Sequence, residues 1–228
     1  MIVEGRNAVM ELLKSDATID KILIDKTVKD HLIDKVKTSG IHYQFVEKAA
    51  LERVSDSGRH QGFLAFVTDF NYAELEDFID KEVILILDGV VDVHNFGNII
   101  RTAECMGVGG IIIPKNRSAT VNDTVIRVSA GAAAHMKIAR VTNINQAIEK
   151  LKKEDFWIFA AEADGDAIAK TNLKGKVAIV MGGEDTGVSA LTRKLCDGVI
   201  SIQMHGKVNS LNVASATAMV LYEINRQR

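Results

Sequence analysis

The chain of 228 residues is long enough for one large domain or two small ones. With 47% hydrophobic and 25% charged residues it has the make-up of an ordinary globular protein, which excludes disorder as its main theme. A formal net charge of −2 argues against tight, indiscriminate polyanion binding, and two cysteines with six scattered histidines support neither a disulfide framework nor a metal site.

The longest apolar stretches, 83–87 and 213–222, fall short of the roughly 18–20 residues a bilayer span needs. The opening Met-Ile-Val-Glu-Gly-Arg interrupts any signal-peptide core, so a cytoplasmic, membrane-free protein is expected. From the N-terminus, Val9, Leu12 and Leu13 have helical spacing, 21–25 reads as a strand, and Val28, Leu32, Ile33 and Val36 return to helical spacing. A strand at 41–46, a short helix at 48–55 and a strand at 63–67 complete a small α/β unit over 1–68. Residues 69–82 carry net charge −5 and a weak apolar face of Leu75, Phe78 and Ile79, and are read as a linker.

Beyond it, 83–87, 110–113, 156–161, 177–181 and 199–204 are apolar runs, the pattern of strands buried on both faces. Helical patterns at 96–106, 144–153, 189–196 and 211–224 alternate with them, so 83–228 is expected to form βαβ units around a parallel sheet. Between Pro114 and Arg140, the cations Lys115, Arg117, Arg127, Lys137 and Arg140 face only Asp123, which fits either a local nucleic-acid contact or a solvated face balanced in space.

Three stretches follow the carboxyl ends of strands, where open α/β sheets bind ligands. In Asp88-Gly-Val-Val-Asp-Val-His-Asn-Phe-Gly-Asn-Ile-Ile-Arg101, Asn95 can cap a helix whose surface carries Arg101; an ordinary cap and a solvated arginine explain the same residues. Met181-Gly-Gly-Glu-Asp-Thr-Gly187 lets backbone approach a ligand beside Glu184, yet lacks the Gly-Lys-Ser/Thr of a P-loop and the GxGxxG of a dinucleotide fold. Ile202-Gln-Met-His-Gly-Lys-Val-Asn-Ser-Leu-Asn212 leads into the small-residue helix Val-Ala-Ser-Ala-Thr-Ala-Met219, whose start Ser210 and Asn212 can cap; Ser210 lacks a nucleophile elbow. His60, His94, His135 and His205 read as satisfied core or surface histidines.

Asn-Phe-Gly-Asn-Ile-Ile-Arg101, Met181-Gly-Gly-Glu184 and 202–212 with Ser-Leu-Asn, in this order and spacing, resemble the three motifs of the SpoU (TrmH-like) family of RNA ribose 2′-O-methyltransferases in the SPOUT superfamily. The N-terminal unit, with Gly5-Arg-Asn-Ala-Val9 and His60-Gln-Gly62, resembles the small ribosomal-protein-like RNA-binding domain of the branch that modifies a guanosine in large-subunit (23S) rRNA. One departure is Val93, where the family usually has proline.

The resemblance implies an α/β parallel sheet with a C-terminal trefoil knot, which general topology rules would argue against. It implies S-adenosylmethionine as cofactor, held around Gly182, Gly183, Ile202, Met204 and Leu211, and a homodimer with the active site near its interface. It implies roles for Asn95 and Asn212 in orienting ribose, for Arg101 at phosphate and the 2′-oxygen, and for Glu184 and Ser210 in bracing the site by hydrogen bonds. The expected partner is RNA, rRNA ahead of tRNA; a tRNA ribose methyltransferase and a non-catalytic RNA-binding protein of the same fold are the alternatives.

Overall fold

The computed structural model describes residues 2–14, 17–55, 57–68, 70–184 and 186–228, with Asp123 described for its backbone alone. The chain divides into two compact units, one of residues 1–71 with 120–123 and one of 72–119 with 124–228.

The first unit contains β1 (Ile2–Glu4), α1 (Arg6–Leu12), β2 (Thr18–Asp25), α2 (Leu32–Thr38), β3 (Tyr43–Val46), α3 (Lys48–Val54) and β4 (Phe63–Thr68). Its strands lie in the order β1-β4-β2-β3, with β4 antiparallel to both neighbours and β2 parallel to β3. Strand alternation divides the core: Ile22, Ile24, Phe63 and Ala65 pack with Val9, Leu32 and Val36, while Leu23 and Leu64 pack with Leu51. Val28 lies before α2 because Asp30 accepts the Leu32 amide at 2.8 Å and sets the helix start there.

The two N-terminal motif segments meet. Gly5 N donates to Phe63 O at 3.1 Å, and Arg6 N to Gln61 Oε1 at 3.2 Å. Gly62 has φ +81, and a Cβ on it would lie 2.3 Å from the Val28 side chain. His60 is buried and its Nδ1 accepts the Gly62 amide at 3.0 Å.

The second unit contains β5 (Val83–Asp88), α4 (Val93–Cys105), β6 (Gly110–Pro114), α5 (Asp123–Val128), β7 (Ile138–Val141), α6 (Ile144–Lys153), β8 (Trp157–Ala167), β9 (Val177–Gly182), α7 (Ala190–Leu195), β10 (Gly198–Ser201) and α8 (Val213–Gln227). Its six strands run in the order β10-β8-β9-β5-β6-β7, each pairing parallel. Ile84, Leu85, Ile86 and Leu87 are fully buried, as a strand covered on both faces requires.

The structure departs from the sequence expectations at several points. The first is the acidic stretch, whose start Asp69 lies outside the described residues. From Tyr72 onward it belongs to the second unit: Ala73 bridges Ala139, and a 3₁₀ turn at Leu75–Phe78 buries Phe78 completely. The Phe78 ring fills the space where a Cβ on Gly110 would stand, 2.2 Å from that position, so it is core rather than linker.

The second is the last strand, which ends at Ser201 rather than at residue 204. The β8–β10 register shifts between Val199 and Ile200, and Ser201 Oγ donates to Gly165 O at 2.7 Å. The third is β7, an added edge strand that four residues were too few to reveal. Among the described residues no helix is long and apolar enough to cross a membrane.

Candidate active site

All three ligand-type stretches meet at the carboxyl end of the sheet in the second unit. A cavity of about 580 Å³ is walled by the middle of β8 (Ala161, Glu162, Ala163), the end of β9 and the turn after it (Met181, Gly182, Gly183, Glu184), residues of the segment 200–212, and Ala216 and Val220 of α8.

Asn95 is the centre of the polar rim. Its Nδ2 donates to Glu184 Oε1 at 2.9 Å, and its Oδ1 accepts from Asn212 Nδ2 at 2.9 Å. One amide side chain, serving once as donor and once as acceptor, thereby ties together loops 89 and 117 residues away in the chain. Val91 N adds a longer contact to Glu184 Oε2 at 3.4 Å.

Asn95 does not cap its helix. Asp92 does so, its carboxylate accepting the Asn95 amide at 2.7 Å, which leaves the Asn95 side chain free to bridge. Val93 therefore occupies the first helical position, where proline is favoured, and the helix starts there without it. Asn212 caps α8 through the amides of Ala214 and Ser215 and still spares its Nδ2 for Asn95.

Gly182, Gly183, Ile202, Met204 and Leu211 all line the cavity, as do Ser210 and Asn212. Ser210 makes no hydrogen bond among the described residues, so the bracing expected of it falls to Asn212. Arg101 is exposed and does not line the cavity. It lies six residues after Asn95, roughly 120° around the helix, and about 40° from Gly97, which faces the Val128 side chain. Asp185 of the second stretch lies outside the described residues.

Sequence reasoning missed Glu162, whose Oε1 accepts the Val188 amide at 2.6 Å, and Asp88, whose Oδ2 accepts the Ser189 amide at 3.0 Å. Both carboxylates hold the turn after β9. For Asp88, its position at the carboxyl end of a buried strand was the available signal; Glu162, inside β8, offered none.

Residues 82–222 match the family model described as the SpoU rRNA Methylase family. The chain belongs to the SpoU family. Residues 2–73 match the model for RNA 2′-O ribose methyltransferase substrate binding. A protein of Staphylococcus saprophyticus assigned to the TrmH family of tRNA/rRNA methyltransferases is 39% identical, covering 100% of this chain and 96% of the relative. The A. aeolicus TrmH/SpoU tRNA modifying enzyme superposes with a TM-score of 0.60 at 29% identity, covering 68% of this chain and 80% of that one. The SpoU methyltransferase AviRb of Streptomyces viridochromogenes, solved with the cofactor AdoMet, shares the fold with a TM-score of 0.65 at 21% identity over 100% of this chain and 89% of that one. This SpoU-family chain is an RNA methyltransferase that uses S-adenosylmethionine.

The cavity fits that cofactor on its own chemistry. Its volume falls in the range of small-molecule sites, and apolar Met181, Ile202, Met204, Leu211 and Val220 alternate with polar groups as a ligand with a flat base and a polar tail requires. Residues 203–211 form no backbone-to-backbone hydrogen bond among the described residues, leaving amides and carbonyls there to pair with a ligand.

Gly182 shows how tightly this SpoU-family site is built. A Cβ on it would lie 2.1 Å from Gly187 C and 2.3 Å from Val188 N, backbone atoms that cannot yield as a flexible side chain can. Gly182→Ala is expected to cost about 1–3 kcal/mol of stability, or to open the turn and weaken S-adenosylmethionine binding by up to about a hundredfold. Calorimetric titration beside urea unfolding checks it.

Proposed function

We propose that this chain methylates the 2′-hydroxyl of a ribose in structured RNA, and that its target is a guanosine of large-subunit rRNA. The observation that carries the reading is the Glu184–Asn95–Asn212 bridge at the rim of a cavity suited to S-adenosylmethionine. The N-terminal unit, matching a substrate-binding model, supports RNA as partner, and the resemblance of its sequence motifs to a ribosomal-protein-like domain favours rRNA over tRNA.

When bound, S-adenosylmethionine supplies a methyl group on a cationic sulfur. Met181, Ile202, Met204 and Leu211 would exclude water from it, while backbone at Gly182 and Gly183 approaches closely. Asn95 and Asn212 would orient the ribose, and their mutual hydrogen bond fixes that geometry before RNA arrives. Holding oxygen, carbon and sulfur in line can supply roughly 7–11 kcal/mol of the barrier. The methyl carbon would pass from sulfur to the 2′-oxygen, leaving a neutral thioether, with the hydroxyl proton passing to water. A guanidinium has no lone pair free to take the hydroxyl proton, so Arg101 would not act as base; it would orient phosphate and stabilise charge on the 2′-oxygen.

The knot belongs to the same proposal. The strand order β10-β8-β9-β5, together with the close backbone approach at Gly165 and Gly182, is compatible with a threaded C-terminal segment. A cytoplasmic homodimer completes the reading, supported by Met219 and Tyr222, exposed on α8 to 49% and 63%.

Ribose 2′-O-methylation blocks alkaline cleavage at the following phosphodiester, so mapping total RNA from cells with and without this protein tests the reading. One protected guanosine in large-subunit rRNA is the expected difference. A protected tRNA position would move the target, and no difference in any RNA would overturn the ribose assignment.

A further inference from the structure

Two of the cations between Pro114 and Arg140 are held by neighbours. Lys137 pairs with Asp77 at 3.6 Å; the Arg140 guanidinium lies over the Tyr72 ring, 5.1 Å from its centre, and donates to Lys115 O at 3.3 Å. Arg117 is different. It is exposed, and among the described residues it makes no hydrogen bond or ion pair.

Its backbone is also unusual, with φ +56, a region that side-chain-bearing residues other than asparagine and aspartate seldom occupy. Glycine or asparagine would hold this turn at less cost, and the fold makes no use of the arginine side chain. The turn is nonetheless held in place. Ala119 N donates to Val90 O at 2.8 Å, and the Arg117 carbonyl comes within 4.0 Å of the position a Cβ on Gly89 would take.

On its other side the 88–92 segment touches the cavity wall. Gly183 N donates to Asp88 O at 2.9 Å, and a Cβ on Gly183 would lie 2.5 Å from Gly89 O. Val91 N reaches Glu184. Arg117 is thus fixed one backbone segment behind the rim where the ribose is proposed to sit.

We propose that Arg117 is a positioning residue that grips a phosphodiester of the RNA strand flanking the methylated ribose. The inference rests on the proposed function. A guanidinium suits a phosphate because its planar fork can donate two parallel hydrogen bonds, and a fixed turn lowers the entropy lost on contact. Such a contact positions the strand without reading its sequence.

The test uses the full-length protein, tritiated S-adenosylmethionine and total RNA from cells lacking the protein. Arg117→Gly and Arg117→Asn both suit the left-handed turn, so each should keep or raise Tm while KM for RNA rises about tenfold and kcat changes little. The slope of log affinity against log salt should shrink by about one, and S-adenosylmethionine binding should not move. Arg117→Lys should recover part of the loss, since the charge remains and the fork does not. A merely structural arginine would move Tm and KM in the same unfavourable direction, and that result, or an unchanged KM and salt slope, would overturn the proposal. Failure of the wild-type protein to methylate any RNA in the same assay would instead strike the proposed function.

Discussion

Asn95→Asp is expected to lower methyl transfer by about 10²- to 10³-fold at pH 7.5 while leaving the fold intact. The substitution is nearly isosteric and preserves the acceptor that receives Asn212 Nδ2. It replaces the donor facing Glu184 Oε1, now 2.9 Å away, with a second carboxylate oxygen. Two carboxylates at that distance cannot both stay ionised without repulsion, so the rim spreads or one of them binds a proton. Sharing a proton raises the apparent pKa of the pair, and activity should therefore return in part as pH falls toward about 5. Asn95→Ala should lose activity without that recovery. The pH–rate profiles of both variants beside wild type are the measurement; an Asn95→Asp enzyme within threefold of wild type, or a flat profile, would show that the bridge does not hold the site.

Phe78→Ala is expected to destabilise the protein by about 3–5 kcal/mol, the range for removing a fully buried phenylalanine. The ring occupies the space left by Gly110 and packs with Ile84, Ile112 and Ile148, so the surrounding sheet has little freedom to close over the cavity. Its neighbour Ile79, 40% exposed, is the control, and Ile79→Ala should cost far less. Urea unfolding followed by circular dichroism reads both. If residues 72–82 served only as a tether, the two variants would be equally silent.

These two residues mark where sequence reasoning stops. Phe78 sits in a turn of four residues, too short to show a periodicity, and its acidic surroundings read as solvated chain. Only the gap at Gly110, contributed by a distant strand, makes it core. Asn95 is legible as a residue that matters, but the sequence offers it two tasks, helix cap and ribose contact, and only the structure gives the cap to Asp92. A polar residue just ahead of an apolar helix looks like a cap, and the alternative cap, Asp92, becomes evident only when the helix start is seen.

Glu162 escaped notice for a related reason. Strand β8 continues to Ala167, past the apolar run that marked it, and one carboxylate of the three in Ala-Ala-Glu-Ala-Asp-Gly-Asp gives no local sign that it will hold the Val188 amide. Cys196 also takes its character from its surroundings: burial pushes its thiol up to about 11, so it stays protonated at neutral pH.

The sequence by itself determined the α/β alternation, the parallel character of the larger sheet and the three loops that carry chemistry. Each of these is written in short-range pattern: continuous apolar runs for strands covered on both sides, glycines at turns, polar residues at strand ends. The tertiary structure alone decided which side chains meet, because a hydrogen bond such as Asn95 to Asn212 joins residues 117 positions apart and depends on loop paths that no local pattern encodes. It likewise decided that Arg101 does not line the cavity and that the turn carrying Arg117 packs on the 88–92 segment, since a helix face and a left-handed turn place those residues only once their neighbours are in place.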